Sequence, residues 1–208
     1  SAKTEGQEKY LEAMYDNSVV FCQGLAGTGK THLSVGVGID LLKRGEVERI
    51  IVTRPIVPTG NRDIGFLPGG VLDKINPYIR PIIDELSCFI SYDEIQNLIH
   101  NANGGIPPRI EIVPLQYVRG RNLHKCFIIL DEAQNAVRTE LIALITRMGN
   151  DSKIVIQGDV TQTDLPRADA GAFAWLSNRM VNEEDIAVVQ LGKEDIVRSP
   201  LIERILEA

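Results

Sequence analysis

Long apolar runs are missing from this chain. Stretches such as Phe127 to Leu130 and Ile154 to Ile156 span only a few residues, against the ~20 that a membrane helix needs. A membrane role is therefore not expected. Cysteine is scarce as well. Cys22, Cys88 and Cys126 show no CxxC spacing and cannot all pair, which excludes a disulfide framework. They read as buried, reduced thiols, and cytoplasmic placement is expected. An excess of positive charge is also absent. The net charge of −6 argues against coating duplex DNA by bulk charge, though it leaves room for a local basic groove. No signal peptide is expected, and the 208 residues show no internal repeat, low-complexity tract or clear linker. The chain opens Ser-Ala without an initiator Met. That reads as a cloning remnant, so the natural protein is expected to continue upstream.

What is present fits one globular domain over 1–208. With 44% hydrophobic and 24% charged residues in 208, the chain can bury a full core. Thr4-Glu-Gly-Gln7 has capping-box spacing and predicts a helix from about Glu5 to Tyr15. Ser18 to Gln23 and Arg49 to Thr53 read as buried strands, as do Ile110 to Val113, Cys126 to Leu130, Lys153 to Gln157 and Ile186 to Gln190. Lys30 to Arg44 reads as a helix stopped by Gly45. Val71 to about Ile90 is helical in period, with breaks expected at Pro77 and Pro81. Ser91 to His100 is a short amphipathic helix. Arg54 to Gly70 and Asn101 to Pro108 read as loops. Alternating strands and helices predict an α/β fold with a mostly parallel sheet and helices on both faces.

The first strand runs into Gly24-Leu25-Ala26-Gly27-Thr28-Gly29-Lys30-Thr31, which satisfies GxxxxGK[ST]. Glycine permits unusual backbone angles and lets main-chain N–H groups approach phosphate oxygens. The helix that follows aims its N-terminal dipole at the anion. In such a loop Lys30 reaches the β and γ phosphates of ATP, and the Thr31 hydroxyl binds Mg²⁺. A chance match somewhere in a chain of this size has odds of roughly one in a hundred. Here the match also lies between a strand and a helix.

Phe127 to Leu130 leads into Asp131-Glu132. Acids at the carboxyl end of a parallel strand face the ligand crevice. Asp131 is the candidate Mg²⁺ ligand, and Glu132 the candidate base for an attacking water. The plainer reading is a helix cap. The next strand ends at Gly158-Asp159-Val-Thr-Gln162. Gln162 is the candidate sensor of the γ phosphate, with Asp159 as a candidate to position it; the plainer reading is an Asx turn.

These three segments resemble motifs I, II and III of superfamily 1 helicases. Further segments resemble the PhoH-like ATPase family: Thr53-Arg-Pro55, Gly65-Phe-Leu-Pro-Gly69, Pro77-Tyr78-Ile-Arg-Pro81, Arg119-Gly-Arg121, Leu130-Asp-Glu-Ala-Gln-Asn135, Thr146-Arg-Met-Gly149, Asp164-Leu-Pro166 and Val197-Arg198. The resemblance runs from Thr4 to Ile205. It implies a RecA-like P-loop NTPase domain that binds and hydrolyses ATP, cytoplasmic placement and a role in RNA metabolism. Leu25, Asn122 and Ser199 stand where the family usually has Pro, Thr and His. In superfamily 1 proteins a Gln ahead of the phosphate loop reads the adenine edge, and Gln7 is the candidate; its place in a capping box is the alternative.

A helicase of that superfamily closes its site with arginines from a second domain. Only 46 residues follow Gln162, too few for one. A homo-oligomer, as a ring, is therefore expected, with Arg119, Arg121 or Arg198 crossing between subunits. Arg147 is a further candidate, and any of the four can equally be a solvated surface charge. Two functions stay open. One is an oligomeric ATPase motor or remodeller acting on single-stranded RNA or with an RNA-processing protein. The other is an ATP-dependent switch or chaperone for a protein partner. Arg54, Arg62, Arg119, Arg121 and Lys125 favour nucleic acid; overall acidity pulls the other way.

Overall fold

The computed structural model describes residues 1–56, 71–100, 107–118, 120–167 and 169–197, with only the backbone described at 71–78 and 100. Six strands form one sheet: β1 (Val19–Gly24), β2 (Arg49–Arg54), β3 (Ile110–Pro114), β4 (Cys126–Leu130), β5 (Lys153–Gly158) and β6 (Ile186–Leu191). Their order is β3-β2-β4-β5-β1-β6, and every neighbouring pair is parallel. The expected α/β fold is thus the one observed, and its sheet is parallel throughout the described strands.

Side-chain alternation divides the core between the two faces of the sheet. Val20, Cys22, Ile50, Val52, Phe127, Ile129 and Val155 point to one face. There they meet α1 (Glu5–Asp16), α2 (Lys30–Arg44), α3 (Val71–Leu86) and α4 (Tyr92–His100). Phe21, Ile51, Ile128, Leu130, Ile154 and Ile156 point to the other face, under α5 (Arg138–Ile145) and α6 (Ala172–Arg179). Strands covered on both sides must be apolar along their whole length, which is why they read as runs rather than as alternation. Among the described residues, no helix is long and apolar enough to cross a membrane.

Helix ends follow local chemistry. Gly45 takes the left-handed conformation (φ 73°), and its N–H closes on the Leu41 and Leu42 carbonyls, as a C-terminal stop requires. At α1 the capping box is only half formed. Thr4 Oγ1 accepts the Gln7 N–H at 3.2 Å, but the Gln7 side chain takes the Lys3 N–H (2.8 Å) rather than returning to Thr4. The breaks expected at Pro77 and Pro81 are not observed, and α3 is continuous. Each proline removes one N–H from the ladder. Complete burial of Ile82 and Leu86 in the core holds the helix across that loss. Cys88 is also a correction, because it is exposed while Cys22 and Cys126 are buried. Burial pushes the Cys22 thiol up to about 12, which leaves it protonated and inert. Arg62, the Gly65–Gly69 segment, Ala168, Arg119 and residues 198–208 lie outside the described residues, as do most of the two predicted loops.

Helix α2 comes close to the sheet at Gly38. A Cβ there would lie 3.0 Å from Phe127 Cδ1 and 3.4 Å from Ile50 Cδ1. Gly38→Val must push both neighbours and is expected to cost about 1–3 kcal/mol, read as a lower urea midpoint. An unchanged midpoint would show that α2 can lift off the sheet without loss.

Candidate nucleotide-binding site

The site is built at the carboxyl ends of β1, β5, β4 and β2, where parallel sheets hold ligands. β5 lies between β1 and β4, so the loop after β1 and the acid after β4 are separated by two strand spacings, about 10 Å. Helix α2 starts at the end of that loop and turns back across the gap.

Gly27 (φ 83°) and Gly29 (φ 79°) take left-handed angles that let the loop fold around its own N–H groups. Gly29 caps α2 without any side-chain bond, so the first N–H groups of α2 open onto the cleft. Lys30 extends its ammonium along the loop, donating to the carbonyls of Gly24 (2.7 Å) and Leu25 (2.9 Å). The cleft, of about 260 Å³, is lined by Lys30, Thr31, Asp131, Glu132, Asp159 and Gln162 together with the loop, His32 and Glu85. Candidate residues from three separate segments of the sequence thus share one cleft.

Asp131 is only 2% exposed, and its carboxylate is fully engaged. The Thr31 hydroxyl donates to it at 3.2 and 3.3 Å. Gln157 Nε2 donates to Oδ1 at 2.9 Å, and the Gln157 carbonyl accepts the hydroxyl of fully buried Tyr10 at 2.7 Å. Arg54 binds Oδ2 through Nε (3.0 Å) and Nη2 (2.6 Å). A hydroxyl beside a buried carboxylate, next to a phosphate loop, is a hard-oxygen donor set that fits Mg²⁺.

Glu132 is exposed and adopts a left-handed backbone (φ 56°, ψ 40°), uncommon for a residue with a side chain and frequent at functional sites. Gln134 Nε2 donates to Glu132 Oε2 at 2.5 Å, while Gln134 Oε1 accepts the Asp159 N–H at 3.0 Å. Gly158 leaves space for this bridge, because a Cβ there would overlap Gln134 Oε1. Asp159 does form the plain Asx turn, accepting the Thr161 N–H (2.9 Å) and hydroxyl (2.6 Å). Its other oxygen accepts the Ala26 N–H (3.1 Å), which ties the turn to the phosphate loop. Gln162 lies at the mouth of the cleft, with its N–H on the Asp159 carbonyl (3.1 Å).

Gln7 is buried against the loop. Its Nε2 donates to the Thr28 carbonyl at 3.1 Å, and its oxygen is taken by Lys3. In this arrangement its amide ties the phosphate loop to the start of α1. Arg121 forms a bidentate pair with Glu111 (2.7 and 2.9 Å), and Lys125 pairs with Glu48 (3.3 Å). The described members of the predicted basic cluster, Arg54, Arg121 and Lys125, are thus each neutralised by a different acid. Arg119 and Arg198 lie outside the described residues.

Arg54, Gln157, Tyr10 and the His32–Glu85 pair lie in or behind the cleft and were not marked by the sequence as cleft residues. Arg54 and Gln157 are polar tips of apolar strands, the same signal that marked Asp131. Tyr10 on α1 carried no such signal. His32 follows Thr31 and pairs through Nδ1 with Glu85 Oε2 at 3.0 Å, with Phe89 against its ring.

A parallel sheet with this loop on one strand tip and a buried acid two strands away defines a P-loop NTPase fold. The chain matches the family described as PhoH-like protein over residues 1–208, and it belongs to that family. It is 42% identical over 206 residues to the PhoH-like protein of Bacillus subtilis (strain 168), covering 99% of this chain and 62% of that one. It is 37% identical over 207 residues to Protein PhoH of Escherichia coli (strain K12), covering 100% of this chain and 57% of that one. The chain therefore spans about three fifths of these relatives' length. Among solved structures, the large terminase of a thermophilic bacteriophage, in complex with ADP, aligns with a TM-score of 0.57. It is 10% identical over 98% of this chain and 49% of its own. That likeness concerns the fold.

Burial alone would raise the Asp159 pKa. Hydrogen bonds from Thr161 and Ala26 and the charge of Lys30 outweigh it and hold the group below its ordinary value. Such a carboxylate contributes stability in full above its unfolded pKa of ~3.9 and loses it as pH falls through the lower folded pKa. Asp159→Ala should be less stable than wild type near neutral pH, with the gap closing below about pH 4. A gap that stays constant in acid, by thermal unfolding, would show that the charge contributes nothing.

Proposed function

We propose that this chain binds ATP with Mg²⁺ and hydrolyses it, and that the cycle drives work on single-stranded RNA. The observation that carries the nucleotide reading is the convergence of Lys30, the Thr31 hydroxyl and the Asp131 carboxylate at the start of α2. Phosphates lie against the loop N–H groups and the Lys30 ammonium. Thr31 and Asp131 hold Mg²⁺, whose charge neutralises the phosphate oxygens. Glu132, exposed on its strained turn and steered by Gln134, takes the proton of the attacking water. Gln162, at the mouth, faces the terminal phosphate. Gln7 contributes by keeping Thr28 and the loop in place.

The RNA part rests on a second cleft of about 550 Å³, lined by Arg138, Thr139, Asp169, Gly171 and Trp175 among others. Trp175 is the single tryptophan of the chain. The Arg138 guanidinium lies over its ring at 4.0 Å and that of Arg179 at 4.9 Å. An aromatic ring flanked by cations is what unpaired bases and their phosphates use. Arg138 opens the helix that follows the Glu132 turn, which places this platform beside the catalytic carboxylate in the chain. Homo-oligomerisation belongs to the same proposal, since head-to-tail packing would bring an arginine of one subunit to the cleft of the next.

Two measurements test this reading. Lys30→Ala should abolish ATP binding by calorimetry. Glu132→Gln should bind normally and hydrolyse ~10²-fold or more slowly. Wild-type affinity in the first or wild-type turnover in the second removes the corresponding role.

Single-stranded RNA should stimulate turnover, with an effect that fades as salt rises and shrinks in Trp175→Ala. A response that is flat to RNA points instead to a nucleotide switch acting on a protein. The same assay across a dilution series tests assembly, because a rate per subunit independent of concentration removes the oligomer.

A further inference from the structure

Arg54 and Asp131 lie side by side because β2 and β4 are neighbours. Thr53 pairs with Leu130 in register, and the Asp131 N–H closes on the Thr53 carbonyl at 2.9 Å. The next residue of each strand therefore reaches the cleft from adjacent tips. Arg54 is one-fifth exposed, and it lines a small void with Val52, Ile79, Ile82 and Ile112 beneath α3. This packing holds its stem while its head points to the cleft. The guanidinium donates twice to Oδ2 of Asp131, the oxygen that the Thr31 hydroxyl also meets at 3.3 Å. One carboxylate thus serves a guanidinium, and it faces the hydroxyl with which it would hold a metal.

We propose that Arg54 is a catalytic arginine in cis that exchanges carboxylate for phosphate. The inference rests on the reading of the cleft as an Mg²⁺–ATP site. Without nucleotide, Arg54 neutralises Asp131, whose charge is too deeply buried to stand unpaired. With Mg²⁺ and nucleotide bound, Thr31 and Asp131 would hold the metal and Arg54 would be freed beside Thr31. The terminal phosphate is then the nearest anion for its planar fork, which matches phosphate oxygens in pairs. Charges stay matched in both states: guanidinium with carboxylate before, guanidinium with phosphate after. A cation opposite the γ phosphate is in this way supplied from β2 itself, and an arginine from a neighbouring subunit would act beside it.

The test compares ATP with ADP. Calorimetric affinities in Mg²⁺ are measured for wild type, Arg54→Ala, Arg54→Gln and Arg54→Lys, together with nucleotide-free thermal midpoints and turnover. The preference for ATP over ADP should fall by ~10-fold or more in Arg54→Gln and Arg54→Ala, with turnover falling by ~10³-fold or more. Arg54→Lys keeps the charge without the fork and should recover part of both. Should Arg54→Ala fail to fold, because Asp131 is left without its cation, the Gln and Lys variants carry the comparison. If these variants lose thermal stability but keep the wild-type ratio of ATP to ADP affinity, Arg54 is a structural partner of Asp131 and the proposal is overturned. If wild type binds neither nucleotide, the reading of the cleft itself falls, and Arg54 with it.

Discussion

The carboxylate of Asp131 is the constraint around which the rest of the molecule is arranged. An acid this deeply buried must be met by donors or cations, because the loss of its hydration is otherwise uncompensated. The fold supplies them from four directions: Thr31 from the first turn of α2, Gln157 from β5, Arg54 from β2, and Tyr10 from α1 one bond further out through Gln157. Each arrives only because a particular strand or helix is adjacent. The order β2-β4-β5-β1 therefore sets the surroundings of Asp131 as much as it sets the packing. Any other neighbour for β4 would leave the acid with different donors.

A second set of contacts extends outward from the phosphate loop. Asp159 accepts from that loop at Ala26 and from its own turn at Thr161. Gln134 connects the backbone of that turn to Glu132. The loop is thereby connected to the candidate base through two side chains and one peptide group. Gly158 is indispensable to this bridge, since the Gln134 amide occupies the space where any side chain would go. Glu132 stays in its left-handed conformation because Gln134 holds its head and the 3₁₀ turn Ala133–Asn135 follows directly. Strain held at one residue by its neighbours is a common property of reacting groups.

Charge is placed economically. Arg121 and Arg49 both address Glu111, with N–O distances of 2.7 and 3.2 Å, and Lys125 addresses Glu48. Among the described residues, these pairs set an acid against Arg121 and Lys125, two members of the expected basic cluster. The guanidinium groups of Arg138 and Arg179 are instead gathered on Trp175. Net acidity and a local pair of cations on one aromatic ring thus coexist in this chain, as the composition alone allowed but did not locate.

Much of the fold was legible in the chain itself. The apolar runs marked all six strands within a residue or two, because strands buried on both faces have nowhere to place a polar side chain. Gly24 to Thr31 and Asp131 were legible because phosphate and metal chemistry demand particular residues in a local order. The continuity of α3 across Pro77 and Pro81 was not, because proline rules are local while Ile82 and Leu86 pack against a sheet far away in sequence. The partners of Asp131 were not legible either. Arg54 lies 77 residues before it and Gln157 26 residues after it, and nothing in a linear pattern says which strand tips become neighbours. The bond of Gln7 to the Thr28 carbonyl was not legible for the same reason. Strands and candidate phosphate and metal residues can be read from the linear chain, because both signals depend on residue type and short spacing. Which charges meet is set by the fold, because it depends on the order in which the strands lie side by side.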